Sequence, residues 1–343
     1  MFGIAVPETL PYTTAASEFL YGYQTVIAAL KAGRRRLYKL YVHERGQNHE
    51  GASLLLARAK IANVKIQEVD DRYLRIMDKA SSGRPHNGFI LEASPLPRPP
   101  ITKLASSSKA NGDFVVSLDR QSREDAQING TQTRYAYRSS GWRHPLLLYV
   151  DGVLDEGNLG AIARSAYFLG VDAIATPSRQ SAPWSSIALK ASAGAAEAVP
   201  IFTVNKPADF LVESAREGWR IYASDAIPPN EQPTTSTVSS EAAQKDVDTS
   251  SKLVFTYARS AKRIPADHCP LDVHPTILMM GAEGEGLRGS LLNQAHFKVG
   301  IRAGREKDEV GVDSLNVSVA ASLLCYEFLQ KPKVVRKPGE LLF

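Results

Sequence analysis

From residue 144 onward the chain repeats one pattern: a short apolar run, a turn, then apolar residues at helical spacing. "PLLLYVDGV" precedes "NLGAIARSAYFLG", "VDAIAT" precedes "SIALKASAGAAEAV", and "PIFTV" precedes "PADFLVESAREG", which leads into "WRIYASD". Near-continuous apolar strands separated by helices predict a parallel sheet covered on both faces, since a strand with one wet face alternates with polar residues. "PTILMMG" and "FKVGI" predict two more strands, and "SLNVSVAASLLCYEFL" a closing helix. Between them Pro228 to Lys252 is polar and of low complexity, and is expected to interrupt the sheet as a disordered insertion.

Residues 17–97 read as a separate small α/β unit. "FLYGYQTVIAALKAG" has apolar side chains at helical spacing and stops at Gly33, "LYKLYV" and "KIQEV" read as strands around the helix "GASLLLARAKIANV", and "LRIMDKA" and "GFILEAS" add a short helix and a strand. Residues 98–143 are rich in Pro, Ser and Lys and then lack an apolar period. They read as a linker with one short strand at "FVVSL". The second unit is expected over 144–330, and 331–343 form a basic tail.

Composition narrows the function classes. The 343 residues suffice for two ordinary domains, and 43% hydrophobic with 22% charged residues is a globular composition. No apolar run approaches the ~18 residues of a membrane span, so no membrane role is expected. The N-terminus has neither the basic flank and apolar core of a signal peptide nor an Arg/Ser-rich amphipathic face. Two cysteines, Cys269 and Cys325, without C-x-x-C or a His/Cys cluster, predict neither a disulfide framework nor a metal site. Lys and Arg number 41 against 36 Asp and Glu, so placement matters more than excess. The run Lys31 to Arg45 interleaves basic residues with Tyr38 and Tyr41, which suits either an RNA backbone with stacked bases or a solvated surface.

"ILMMGAEGEGL", Ile277 to Leu287, raises the question of a ligand. Gly281, Gly284 and Gly286 are spaced G-x-x-G-x-G, which is neither a dinucleotide nor a P-loop fingerprint, and Glu283 and Glu285 would repel a pyrophosphate. The loop suits a ligand that is neutral or positive, or one gripped mainly by backbone; by itself it reads first as a tight turn after a buried strand.

Three stretches in order are more specific than any one alone: "NLGAIARSAYFLGVDAI" from Asn158, "ILMMGAEGEGL", and "SLNVSVAASLLCYEF" from Ser314. Together they resemble the motifs of the SpoU (TrmH-like) branch of the SPOUT RNA methyltransferases, and "LKASAGAAEAVPI" is similar to the same family. "FLYGYQTVIAAL" and "RPHNGFILEASPL" resemble its N-terminal substrate-binding domain. "HNGFILEASPLPRP" and "GWRHPLLLYVDGVLDEGNLG" look most like the mitochondrial large-subunit rRNA guanosine 2′-O-methyltransferases, in a fungal-looking version.

The resemblance implies an α/β fold: an N-terminal L30e-like substrate-binding domain and a C-terminal SPOUT methyltransferase domain closed by a trefoil knot, an exception to the rule against knots. It implies S-adenosylmethionine as cofactor, large-subunit rRNA as substrate, a homodimer with its active site at the interface, and a mitochondrial address. Of this sequence's residues it implies catalytic or substrate-positioning roles for Asn158, Arg164, Glu283, Asn316 and Ser318. Arg164 would activate or orient the ribose 2′-hydroxyl, and Glu283 would hold Arg164 or Asn158. Gly281, Ile301, Ser314, Leu315 and Ser224 would contact the cofactor, and Arg34, Arg35 and Arg36 would grip RNA. Asn and Ser at such positions also cap helices routinely. The chain departs from the family pattern at Arg302, where many members have proline, in the long span 225–275, and in the charged "REKDEVGVD", Arg305 to Asp313. An RNA-binding ribosome assembly factor of the same fold is the competing expectation. A nucleotide-binding oxidoreductase fails on glycine spacing.

Overall fold

The computed structural model describes residues 7–225, 252–260, 262–265, 267–304, 312 and 314–332. The polar insertion (save Lys252), most of the Arg305 to Asp313 loop and the basic tail beyond residue 332 lie outside them.

Three sheets form along the chain. The strands of the N-terminal sheet are β1 (Glu18–Tyr21), β2 (Leu37–His43), β3 (Lys65–Val69) and β4 (Phe89–Ala93), in the order β1-β4-β2-β3. A second, antiparallel sheet joins β5 (Ile101–Ser108), β6 (Asp113–Leu118) and β7 (Arg134–Ala136). The third contains β8 (Leu146–Val150), β9 (Ala173–Pro177), β10 (Ile201–Val204), β11 (Arg220–Ser224), β12 (Leu253–Tyr257), β13 (Thr276–Met280) and β14 (Phe297–Ile301), in the order β10-β9-β8-β13-β11-β14-β12. Six of those strands are parallel, as the pattern predicts, and β12 closes the edge antiparallel to β14.

The large sheet is dry on both faces. Leu146, Leu148 and Val150 of β8 pack into one layer, with helices Glu156–Leu169 and Val317–Phe328, while Leu147 and Tyr149 pack into the other, with helix Pro207–Arg216. Leu278 and Met280 alternate with Ile277 and Met279 in the same way. The first layer is continuous with the core of the N-terminal sheet through Leu20, Val26, Leu40 and Phe89, so the two units share one apolar core.

Three expectations need correction, and one strand went unread. Glu18–Tyr21 is an edge strand rather than the start of a helix; the helix runs Tyr23–Ala32 after Gly22, whose φ of 85° breaks the chain direction. "SIALKASAGAAEAV" forms two helices, Ser186–Ala191 and Ala195–Ala198, because Ala193 and Gly194 take φ of 50° and 90° between them. Residues 98–143 are no linker: they supply β5 to β7 and the helix Arg123–Asn129. This sheet buries one face only, through Ile101, Leu104, Phe114 and Val116, and register shifts in β5 break the alternation that would reveal it in sequence. Trp219 ties it down, stacked edge-on to Phe114 at 6.1 Å and donating from Nε1 to the Ala105 carbonyl at 2.8 Å. Finally, "LVFTY" is β12, a strand that the polar stretch before it conceals.

Candidate active site

In a parallel sheet the strand ends at the carboxyl edge and the loops after them form the usual ligand crevice. Here β13, β11 and β14 are neighbours, and Ser224 and Ile301, which end their strands, share the carboxyl edge with Gly281, the residue after β13; all three are positions expected at the cofactor. Gly281 admits no side chain: a Cβ there would lie 2.3 Å from the Gly286 carbonyl carbon. The loop folds back on itself, Ala282 N–H donating to the Gly286 carbonyl at 3.1 Å and Gly286 N–H returning the bond at 3.0 Å. Leu315 and Ser314 approach the start of helix Val317–Phe328 and are exposed.

The Glu283 carboxylate binds two motif segments together. Its Oε1 accepts from Asn316 Nδ2 at 2.6 Å, from the Val317 backbone N–H at 3.0 Å and from Asn158 Nδ2 at 3.3 Å. Asn316 Nδ2 also donates to Asn158 Oδ1 at 3.0 Å. A carboxylate is favoured there because it meets the free N–H groups and positive dipole end of a helix. Asn316 is that helix's N-cap: its Oδ1 accepts from Ser318 N–H at 3.0 Å and from Ser318 Oγ at 2.6 Å. The cap thus belongs to the same network as Glu283, with Ser318 joined through the cap oxygen.

Asn158 lies inside the first turn of helix Glu156–Leu169 rather than on a turn before it, and Asp155 caps that turn by accepting from Asn158 N–H at 2.6 Å. Arg164, on the same helix, is exposed and makes no hydrogen bond or ion pair among the described residues. Glu283 therefore holds Asn158 and Asn316, and not Arg164. Glu285 is exposed beside it.

A second brace was not read from the sequence. Arg288 lies just after the glycine loop, and its Nε and Nη2 donate to Asp151 Oδ2 and Oδ1 at 2.8 and 2.6 Å; Nη1 reaches Gln180 Oε1. Asp151 closes β8 and is 2% exposed, so the pair ties the end of this loop to the strand that leads into the first motif. A lone arginine after "GEGL" carries no sequence signal. Asp155 did, as an acidic residue ahead of a helical run.

The arginine run is placed otherwise than expected. Arg35 is buried, its Nε and Nη2 donating to Glu197 Oε2 and Oε1 at 2.8 and 2.7 Å, and its Nη1 to Glu18 Oε2 at 3.0 Å. Arg34 Nη1 donates to the Glu197 and Val199 carbonyls at 3.2 and 2.8 Å. Both side chains stitch the N-terminal unit to helix Ala195–Ala198, and only Arg36 of the three is exposed for a partner. Groups set into the seam and invisible as neighbours in sequence claim these guanidiniums first, carboxylates for Arg35 and backbone carbonyls for Arg34.

No group of His, Cys, Asp and Glu suited to a metal occurs among the described residues. Both cysteines are free, and burial pushes the Cys325 thiol up to about 12.

A mostly parallel sheet with a backbone-lined glycine loop at its carboxyl edge, beside an N-terminal α/β unit, is the fold of the SPOUT methyltransferases. Residues 145–326 match the SpoU rRNA methylase family and residues 19–99 match the RNA 2′-O ribose methyltransferase substrate-binding family. The chain belongs to the SpoU rRNA methylase family, and it is an S-adenosylmethionine-dependent methyltransferase. It is 31% identical over 314 residues to the mitochondrial rRNA methyltransferase 1 of Schizosaccharomyces pombe, covering 91% of this chain and 90% of that one. To the 23S rRNA (guanosine-2′-O-)-methyltransferase RlmB of Pseudomonas syringae it is 28% identical over 324 residues, covering 94% and 98%. The fold is that of an AdoMet-bound rRNA methyltransferase from Sinorhizobium meliloti, with TM-score 0.56 at 18% identity over 91% of this chain and 87% of that one.

Proposed function

We propose that the protein transfers the methyl group of S-adenosylmethionine to the 2′-hydroxyl of a guanosine in mitochondrial large-subunit rRNA. The lock of Glu283 on Asn158 and Asn316 carries this reading. It fixes the two helix starts that flank the glycine loop, and a displacement reaction at ribose depends mainly on such positioning. The relatives' substrates, as their names give them, supply the nucleoside and the compartment.

The residues fit the cofactor. Ser224, Gly281 and Ile301 offer backbone groups from adjacent strand ends, and the Gly281 loop leaves no side chain to obstruct a neutral adenine. When bound, the cofactor supplies an electrophilic methyl group on a sulfonium, a charge that Glu283 favours. Arg164 orients the 2′-hydroxyl and its phosphate, since a guanidinium is a poor base but a good planar clamp. Asn316 and Ser318 hold the third motif in place. The chain end threads the family's trefoil knot at this site, and residues 17–97 and 144–330 act as the RNA-docking and transfer domains.

The active form is a homodimer. Helices Glu156–Leu169 and Val317–Phe328 pack together and leave Tyr167, Phe168, Val319, Leu323 and Tyr326 exposed at 55%, 85%, 47%, 43% and 53% on their outer faces. An apolar patch of that kind marks a self-association surface. Arg164 stands one helical turn before Phe168, so the partner copy would wall the site.

The test is transfer of labelled methyl from S-adenosylmethionine to a large-subunit rRNA transcript, by the wild type and by Arg164→Ala, with light scattering on the wild type and Phe168→Asp. One methylated ribose, lost in Arg164→Ala, with a dimer that Phe168→Asp splits, supports the reading. Cofactor binding without transfer, on naked rRNA and on partly assembled particles alike, refutes it in favour of an assembly factor.

A further inference from the structure

Gly22 precedes helix Tyr23–Ala32, and no side chain caps that helix's N-terminus; its first turn contains no acidic residue. An uncapped N-terminus presents free N–H groups and a partial positive charge. The side chain set against it is another cation: Lys190, from helix Ser186–Ala191 of the methylase half, places Nζ 2.0 Å from where a Gly22 Cβ would stand. A side chain at position 22 would push that ammonium aside, and the φ of 85° there itself favours glycine. Asn87 Oδ1 lies 3.4 Å from the same point, and Lys190 Nζ lies 6.0 Å from the Tyr21 ring centre.

Lys190 is half-buried, yet it has no hydrogen bond or ion pair among the described residues. Burial lowers its pKa, and no carboxylate acts to raise it back. The nearby Glu156 carboxylate is engaged by the Ser185 hydroxyl instead. Exposed Arg84 adds positive charge near the Tyr21 hydroxyl. The Thr25 hydroxyl, on a residue 1% exposed, is buried without a hydrogen-bond partner, and the Tyr21 hydroxyl has only Ser186 beside it. A half-buried cation without a counter-charge, next to an uncapped helix start, is a costly arrangement within the protein alone. An anion supplied from outside would pair with that ammonium and with the free N–H groups of the helix start.

We propose that Gly22, Lys190 and the start of helix Tyr23–Ala32 form a binding site for one RNA backbone phosphate, in the seam between the substrate-binding and methylase halves, with Arg84 and Asn87 at its rim. The proposal rests on the RNA-methylating reading given above and adds where the strand is held. A phosphate bridging both halves orients the RNA relative to Asn158, because helix Ser186–Ala191, which carries Lys190, packs directly on helix Glu156–Leu169.

The experiment is binding of the large-subunit rRNA transcript over a range of salt concentrations by the wild type, Lys190→Ala and Lys190→Arg, alongside cofactor binding by calorimetry and thermal unfolding. Lys190→Ala should weaken RNA binding about tenfold and reduce the salt slope by about one phosphate contact. Lys190→Arg should restore most of both. Cofactor affinity should stay within twofold, and the melting temperature of Lys190→Ala should not fall, since an unpartnered ammonium has been removed. An unchanged RNA affinity and slope in Lys190→Ala overturns the proposal, as does a loss of cofactor affinity matching the loss of RNA. A wild type that binds the transcript and methylates it, with Lys190→Ala its equal, rejects this site alone. A wild type that binds no RNA rejects the functional reading with it.

Discussion

Arg35 and Glu197 meet through two parallel hydrogen bonds of 2.7 and 2.8 Å, with side chains 0% and 1% exposed, and so fasten the substrate-binding half to the methylase half. Glu197→Gln keeps the shape but leaves the buried guanidinium with only Glu18, whose side chain is 40% exposed. The expected loss is about 3–5 kcal/mol, the usual cost of stranding one member of a buried pair, read from urea unfolding. Replacing both with Met and Leu should recover much of it; a loss equal to that of the single change would show that the pair itself stabilises the seam.

Arg164→Ala should separate function from folding. The side chain is exposed and makes no hydrogen bond or ion pair among the described residues, so unfolding free energy should move by less than about 0.5 kcal/mol. Methyl transfer should fall by at least about a hundredfold, the scale on which lost positioning acts. A large stability loss would place this arginine in the scaffold instead.

Asn316→Ala should do both at once. It removes an N-cap, worth about 1 kcal/mol, and frees the start of the last helix from its side-chain bonds to Glu283 and Asn158, which keep their own 3.3 Å bond. Turnover should drop far more than that stability change implies, whereas Asn316→Asp, which caps but repels Glu283, should fold normally and still transfer poorly.

Arg288→Ala leaves the Asp151 carboxylate buried without its partner, at a cost of about 1–3 kcal/mol. The glycine loop then loses one anchor, so cofactor affinity should weaken while RNA affinity holds; the reverse pattern in titrations would refute the brace.

Stability should also rise with pH between about 4 and 6.5. Burial first, then the neighbouring His268, depresses the pKa of His274 to about 4, while the unfolded chain takes up the proton near the ordinary histidine value of 6.5. The unfolded state therefore binds more protons in that window, and stability is lost as pH falls through it, by up to roughly 2–3 kcal/mol. His274→Gln should flatten the melting-temperature profile there.

The sequence by itself determined the parallel sheet, several helix stops and the order of the three motifs. Apolar runs such as "LLLYV" and "ILMM" have no wet face, and helix stops such as Gly33 and Gly170 are local chemistry. Asn158, Glu283 and Asn316, more than a hundred residues apart at the extremes, were legible as site residues only through their pattern; that they bond one another is a property of strand order. Tertiary structure alone decided where charge goes. Arg34 and Arg35 look like an RNA grip until folding brings Glu197 and Glu18 against them, and Lys190 looks like a surface lysine until Gly22 meets it across the seam. The physical reason is range: helix caps and strand patterns are written within a few residues, whereas the fate of a buried charge depends on neighbours that only the closed chain brings within a few ångströms.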